Sequence, residues 1–146
     1  MSSDPRHGYY LEDMKIGMFH EVSHTVTAKN VDDFARICGD YNPIHMDEDY
    51  AAKTPFGGRI AHGALTASYI SAILGNDLPG PGAIFMTLEL KFRAPVRIGD
   101  TVVARAEVVE INDRRGKVAM KVQCSVGDKV VVKGMAGVMV EKRPVD

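Results

Sequence analysis

An aspartate and a histidine, Asp40 and His45, stand on either side of the turn Tyr41-Asn42-Pro43-Ile44. A carboxylate and an imidazole that converge on one small space can hold a water molecule and move its protons. That is the chemistry of adding water to a small substrate, or of removing it. The turn favours convergence: Asn42 can hydrogen-bond its local backbone, and Pro43 fixes its own φ while biasing Asn42 away from α geometry. Asp, Asn and Pro are also ordinary turn formers, and a histidine in a loop is commonly just solvated. By themselves the residues fit a plain turn as well as a water-activating pair.

The flanking elements must bring the two side chains together. A strand is predicted from Phe19 to Val26, and Thr27 then caps a helix running roughly from Ala28 to Cys38. Val31, Phe34, Ala35 and Cys38 share one face of that helix, and Gly39 supplies the left-handed stop. Asp40 then falls just past a helix C-terminus, where the dipole disfavours negative charge, an awkward field of the kind found around functional carboxylates. Asp47 to Ala52 can form one further helical turn before the loop Thr54-Pro55-Phe56-Gly57-Gly58. A second distinctive segment, Arg59-Ile60-Ala61-His62-Gly63, leads into Ala64 to Leu74, which carries no charged residue. A helix apolar nearly all round belongs inside a fold, and this one is too short to span a membrane. Gly75-Asn76-Asp77 and Pro79-Gly80-Pro81-Gly82 end it in a turn-rich loop.

Strand periodicity dominates the second half. Met86, Leu88, Leu90 and Phe92 alternate with Thr87, Glu89, Lys91 and Arg93; Val102 to Val108 and Val118 to Val126 repeat the pattern. Alternation of this length predicts strands with one buried face. Gly127-Asp128 supplies a tight hairpin turn, and Asn112-Asp113-Arg114-Arg115-Gly116 a longer one. The last strand, Val130 to Val140, carries Val131, Met135 and Met139 on its other face, which predicts a central strand or one at a subunit interface. A long antiparallel sheet wrapped around one apolar helix buries both, so an α+β arrangement is predicted.

At 146 residues the chain reads as one domain, 1–146, large enough to bury a core without metal or disulfide staples. A formal net charge of −1, with no basic run, leaves no footprint for nucleic acid. Cys38 and Cys124 fall in different elements and are expected as two buried, reduced thiols, which suits the cytoplasm. No Cys/His spacing resembles a zinc site, so no metal is expected. The N-terminal stretch lacks an apolar signal core, and no run approaches the ~18 apolar residues a membrane span needs.

Gly39-Asp40-Tyr41-Asn42-Pro43-Ile44-His45-Met46-Asp47, followed by Arg59-Ile60-Ala61-His62-Gly63, closely resembles the MaoC-like family of (R)-specific enoyl-CoA hydratases, also called hydratase 2. The resemblance runs from about Leu11 to Val140. It implies the hot-dog fold, and a homodimer or dimer-based oligomer whose sheets join and whose active sites lie at the subunit interface. By position, Asp40 and His45 match the family's catalytic pair, which holds the water added to C3 of a trans-2-enoyl-CoA. Gly63 matches the residue whose N–H binds the thioester carbonyl, a role that suits a residue without a side chain at a helix start. Ser71 aligns with a serine near the catalytic site, Asn42 shapes the turn, and His62 supports the site by packing or hydrogen bonding.

No metal or redox cofactor is implied, since coenzyme A arrives as part of the acyl thioester. Arg59, Arg93, Arg97, Arg114 and Lys117 could meet its phosphates, but surface lysines and arginines are mostly just solvated, and none is named as a site. Three rivals are a hot-dog acyl-CoA thioesterase, a 3-hydroxyacyl-carrier-protein dehydratase and a non-enzymatic acyl-CoA-binding module. The first would place a carboxylate on or near the central helix, the second would favour a basic docking patch, and the third would be expected to lose Asp40 or His45.

Overall fold

In a computed structural model, residues 4–145 are described. Strand β1 (Phe19–Thr25) leads into helix α1 (Ala28–Cys38), two short helices, α2 (Pro43–Met46) and α3 (Glu48–Ala52), and the long helix α4 (Gly63–Asn76). Strands β2 (Ile84–Phe92), β3 (Thr101–Asn112), β4 (Lys117–Val126) and β5 (Lys129–Met139) follow. The strands form one five-stranded sheet in the order β1-β3-β4-β5-β2, every neighbouring pair antiparallel. Helix α4 lies against all five strands. This is the sheet around a helix that the alternation predicted.

Local chemistry explains the helix boundaries. Thr27 and Asn30 cap α1 reciprocally: the Asn30 N–H donates to Thr27 Oγ1 at 3.0 Å, and the Thr27 N–H donates to Asn30 Oδ1 at 2.9 Å. Gly39 closes α1 at φ 82°, with its N–H donating to the Ala35 carbonyl. A Cβ at Gly39 would meet nothing within 4 Å, so the dihedral and not space selects glycine there. The predicted turn after Asp40 is a single helical turn, α2, with Pro43 at its first position and Asn42 Oδ1 accepting the Ile44 N–H.

On β3 and β4 the even positions Val102, Ala104, Ala106, Val108, Val118, Met120, Val122 and Cys124 are all buried, as predicted. Strand β3 outruns its predicted end because a bulge at Val109 shifts the register there and ends the simple alternation. Strand β2 departs further. Its Met86, Leu88 and Phe92 are 52%, 40% and 57% exposed while Leu90 packs against the core, so most of the apolar face predicted as buried lies open on the chain. The reason is position: β2 is an edge strand bonded to β5 alone.

Three further expectations are corrected. Val131 is buried rather than displayed with Met135, because the register shifts opposite it, between Cys124 and Ser125. Cys38 is exposed, since only Val31 and Ala35 of α1 are fully buried; Cys124 alone is a buried thiol. Helix α4 buries one face, led by Leu65, Ile70 and Ile73, while Ala64, Ser71 and Gly75 are exposed. Among the described residues, no helix is long and apolar enough to cross a membrane.

Candidate active site

The end of α1, the turn α2 and the start of α4 meet at one place. His45 Nδ1 lies 2.8 Å from the carbonyl of Ile60, an acceptor only, so Nδ1 carries the proton and Nε2 presents a lone pair. Asp40 Oδ2 stands 3.9 Å from that Nε2, too far for a direct hydrogen bond and close enough for one water to touch both. The other carboxylate oxygen, Oδ1, accepts the Asn42 N–H at 3.0 Å, which fixes the group relative to the turn. Burial pushes the His45 imidazole below the ordinary 6.5; His62 and Arg59 push the same way, against the Ile60 carbonyl and Asp40.

His62, the residue before α4, touches both members of the pair. Its Nε2–H donates to the backbone carbonyl of Asp40 at 2.9 Å, and its ring stacks on His45 with centroids 4.1 Å apart. Phe34 of α1 leans on its other side, 5.1 Å between centroids. His62 is 2% exposed, and its Nδ1 is buried without a hydrogen-bond partner among the described residues. Asp40, His45 and His62 each offer one atom able to bind a metal, all within 4.8 Å of one another. Backbone carbonyls already engage His45 Nδ1 and His62 Nε2.

Beside His45 opens a cavity of about 420 Å³, lined by Gly63, Thr66, Phe56, Phe92 and Arg93 among others. The N–H of Gly63, first in α4, has no acceptor among the described residues. Phe92 leans over this glycine: a Cβ there would come within 2.9 Å of its ring. Asp40 does not line the cavity and sits beyond His45 with its side chain half exposed. The predicted residues Asp40, Asn42, His45, His62 and Gly63 are thus brought together. Ser71 is not: it is exposed two turns along α4 and lines no part of this cavity.

Two residues gain a place the sequence did not announce. Arg59 is engaged within the chain. Its side chain, 13% exposed, donates from Nε to the His45 carbonyl and from Nη2 to Asp32 at 2.7 Å, tying the α2 turn to α1. Arg97 is likewise engaged, with the Phe56 carbonyl, whereas Arg93 is exposed at the cavity. Thr66, buried at 1% exposure, is a polar side chain in an otherwise largely apolar wall. A threonine in an apolar helix carries no sign in the sequence of which wall it will join.

Comparison with known proteins adds an independent observation. Residues 14–130 match the model of the MaoC like domain. The chain is 49% identical over 134 residues to a 3-hydroxybutyryl-CoA dehydratase of Methylorubrum extorquens, covering 92% of this chain and 85% of that protein. It is 46% identical over 143 residues to an (R)-specific enoyl-CoA hydratase of Rhodospirillum rubrum, covering 98% and 99%. Among solved structures, the unliganded R-hydratase PhaJ1 of Pseudomonas aeruginosa superposes with a TM-score of 0.89 at 34% identity, over 94% of this chain and 88% of that one.

Proposed function

We propose, for a chain that belongs to the MaoC-like domain family, that it adds water reversibly to trans-2-enoyl-CoA thioesters to give (R)-3-hydroxyacyl-CoA. The observation that carries this reading is the pair formed by the His45 Nε2 lone pair and the Asp40 carboxylate, 3.9 Å apart, next to the unpaired N–H of Gly63. A water donating one hydrogen to each of the pair keeps its oxygen lone pairs for C3. The Gly63 N–H donates to the thioester oxygen, drawing electrons from C3 and stabilising the enolate that forms. The proton leaving the water passes to the pair and is returned to C2. Coenzyme A enters and leaves as part of the substrate, and Arg93 is the cationic side chain nearest to hand for its phosphates.

We further propose that the working form is a homodimer joined along β2. Ile84, Met86, Leu88 and Phe92 are exposed apolar side chains on β2, an edge strand of the sheet. A second copy laid against that edge would cover them and close the open side of the Asp40–His45 pair.

Crotonyl-CoA distinguishes the activities. Loss of absorbance from the conjugated double bond without release of free thiol supports hydration; thiol release would mean a thioesterase, and neither change a binding module. An (S)-specific dehydrogenase coupled to the product should yield no NADH, and robust NADH formation would overturn the (R) assignment.

A further inference from the structure

Thr66 stands out among the hydroxyl side chains of α4. Ser68, two residues on, donates back to the Leu65 carbonyl at 2.5 Å, the usual resting place of a hydroxyl inside a helix. Thr66 is 1% exposed and lines the cavity together with Gly63, and no side-chain bond like that of Ser68 ties its hydroxyl back into the helix among the described residues. A hydroxyl at a cavity wall that the helix does not engage is free to bond what enters the cavity.

Position defines the ligand atom. Thr66 lies three residues beyond Gly63, about 4.5 Å along the helix axis and on nearly the same face. Side chains on a helix tilt towards its N-terminus, so the Thr66 hydroxyl leans back towards the unpaired Gly63 N–H. One oxygen seated over the start of α4 can accept from both.

We infer that the Thr66 hydroxyl is a second donor to the thioester carbonyl oxygen, completing with the Gly63 N–H a two-donor oxyanion site; this rests on the hydratase reading above. The hydroxyl keeps its proton throughout. It shortens and strengthens its hydrogen bond as charge builds on the oxygen in the enolate-like transition state, and relaxes when C2 is protonated.

The test compares Thr66→Val and Thr66→Ser with the natural chain in crotonyl-CoA hydration. Valine keeps the shape and removes the donor, and a melting temperature measured alongside shows that the variant is folded. Loss of one oxyanion donor should lower kcat by about 10²-fold with little change in KM, and serine should restore most of the rate. A kcat for Thr66→Val equal to that of the natural chain would overturn the inference, as would a rise in KM alone. A second readout is independent of turnover. The infrared carbonyl stretch of bound butyryl-CoA, labelled at that carbon, should move towards its free-solution position in Thr66→Val; an unmoved band would also overturn the inference. If the natural chain hydrates nothing, the hydratase reading itself falls, and the inference with it.

Discussion

His45 reaches the pair as a neutral imidazole because its other nitrogen is spent on Ile60 and because burial disfavours its charged form. The pH dependence follows in sign. The folded-state value lies below the ordinary 6.5, so His45 is neutral at pH 7, and kcat/KM should hold down through 6.5 before falling as Nε2 is protonated. Stability shifts in the same direction. As pH drops below 6.5 the unfolded chain takes up a proton that the folded chain refuses, so this group lowers stability until its folded value is passed. A pH–rate profile on the acid limb checks the first statement, and urea unfolding at several pH values the second. If both act on one water, as proposed, Asp40→Asn and His45→Gln should each lower kcat by roughly 10²–10⁴-fold, and the double variant should be scarcely worse than either. Near-native rates in both folded variants would remove the pair from the mechanism. The thiols give a simpler check: burial pushes Cys124 up to about 12, while Cys38 is exposed, so a thiol reagent should titrate one cysteine in the native chain and two after denaturation. At this scale the sequence discloses what is local. Asp40, Asn42 and His45 lie on one turn, and their spacing alone announces it. Thr66 and Arg59 owe their places to α4 meeting the cavity and to a loop folding back on α1, and neither fact is written near them.

Elements hold the pair in place by few contacts. Helix α1 ends at Gly39 and so presents Asp40; α2 presents His45; Arg59 bridges the two by way of Asp32 and the His45 carbonyl. Replacing Arg59 by Gln should cost about 1.5–3 kcal/mol, the order of a hydrogen bond to a charged group, and should lower kcat more than it raises KM because the imidazole is left loosely aimed. Arg59→Lys keeps the charge without the two-pronged fork, so it should recover stability better than rate. Thermal unfolding and steady-state kinetics on both variants separate the two effects. Helix and strand boundaries were legible wherever a side chain caps or a glycine stops the chain, as at Thr27 and Gly39. They were not legible at Val109, where a bulge interrupts the alternation.

For the whole molecule, the unsettled feature is an edge. The alternation of Met86, Leu88 and Phe92 reads as a buried face, yet on the single chain these side chains meet solvent. Hydrophobic periodicity records what is covered in the working assembly, and one chain is only part of the proposed one. Sedimentation should therefore find a dimer, and a stable, active monomer of the 15.9 kDa chain would contradict it. Charge placed on the strip, as in Leu88→Lys, should shift the protein towards monomer. Phe92 sharpens the point, for it belongs to this open strand and also leans over Gly63. One wall of the site is thus built on an edge strand, and if copies join along β2 as proposed, turnover is tied to mass action. Rate per subunit should then depend on enzyme concentration, declining steeply on dilution below the self-association constant and recovering with a lag when the sample is concentrated again.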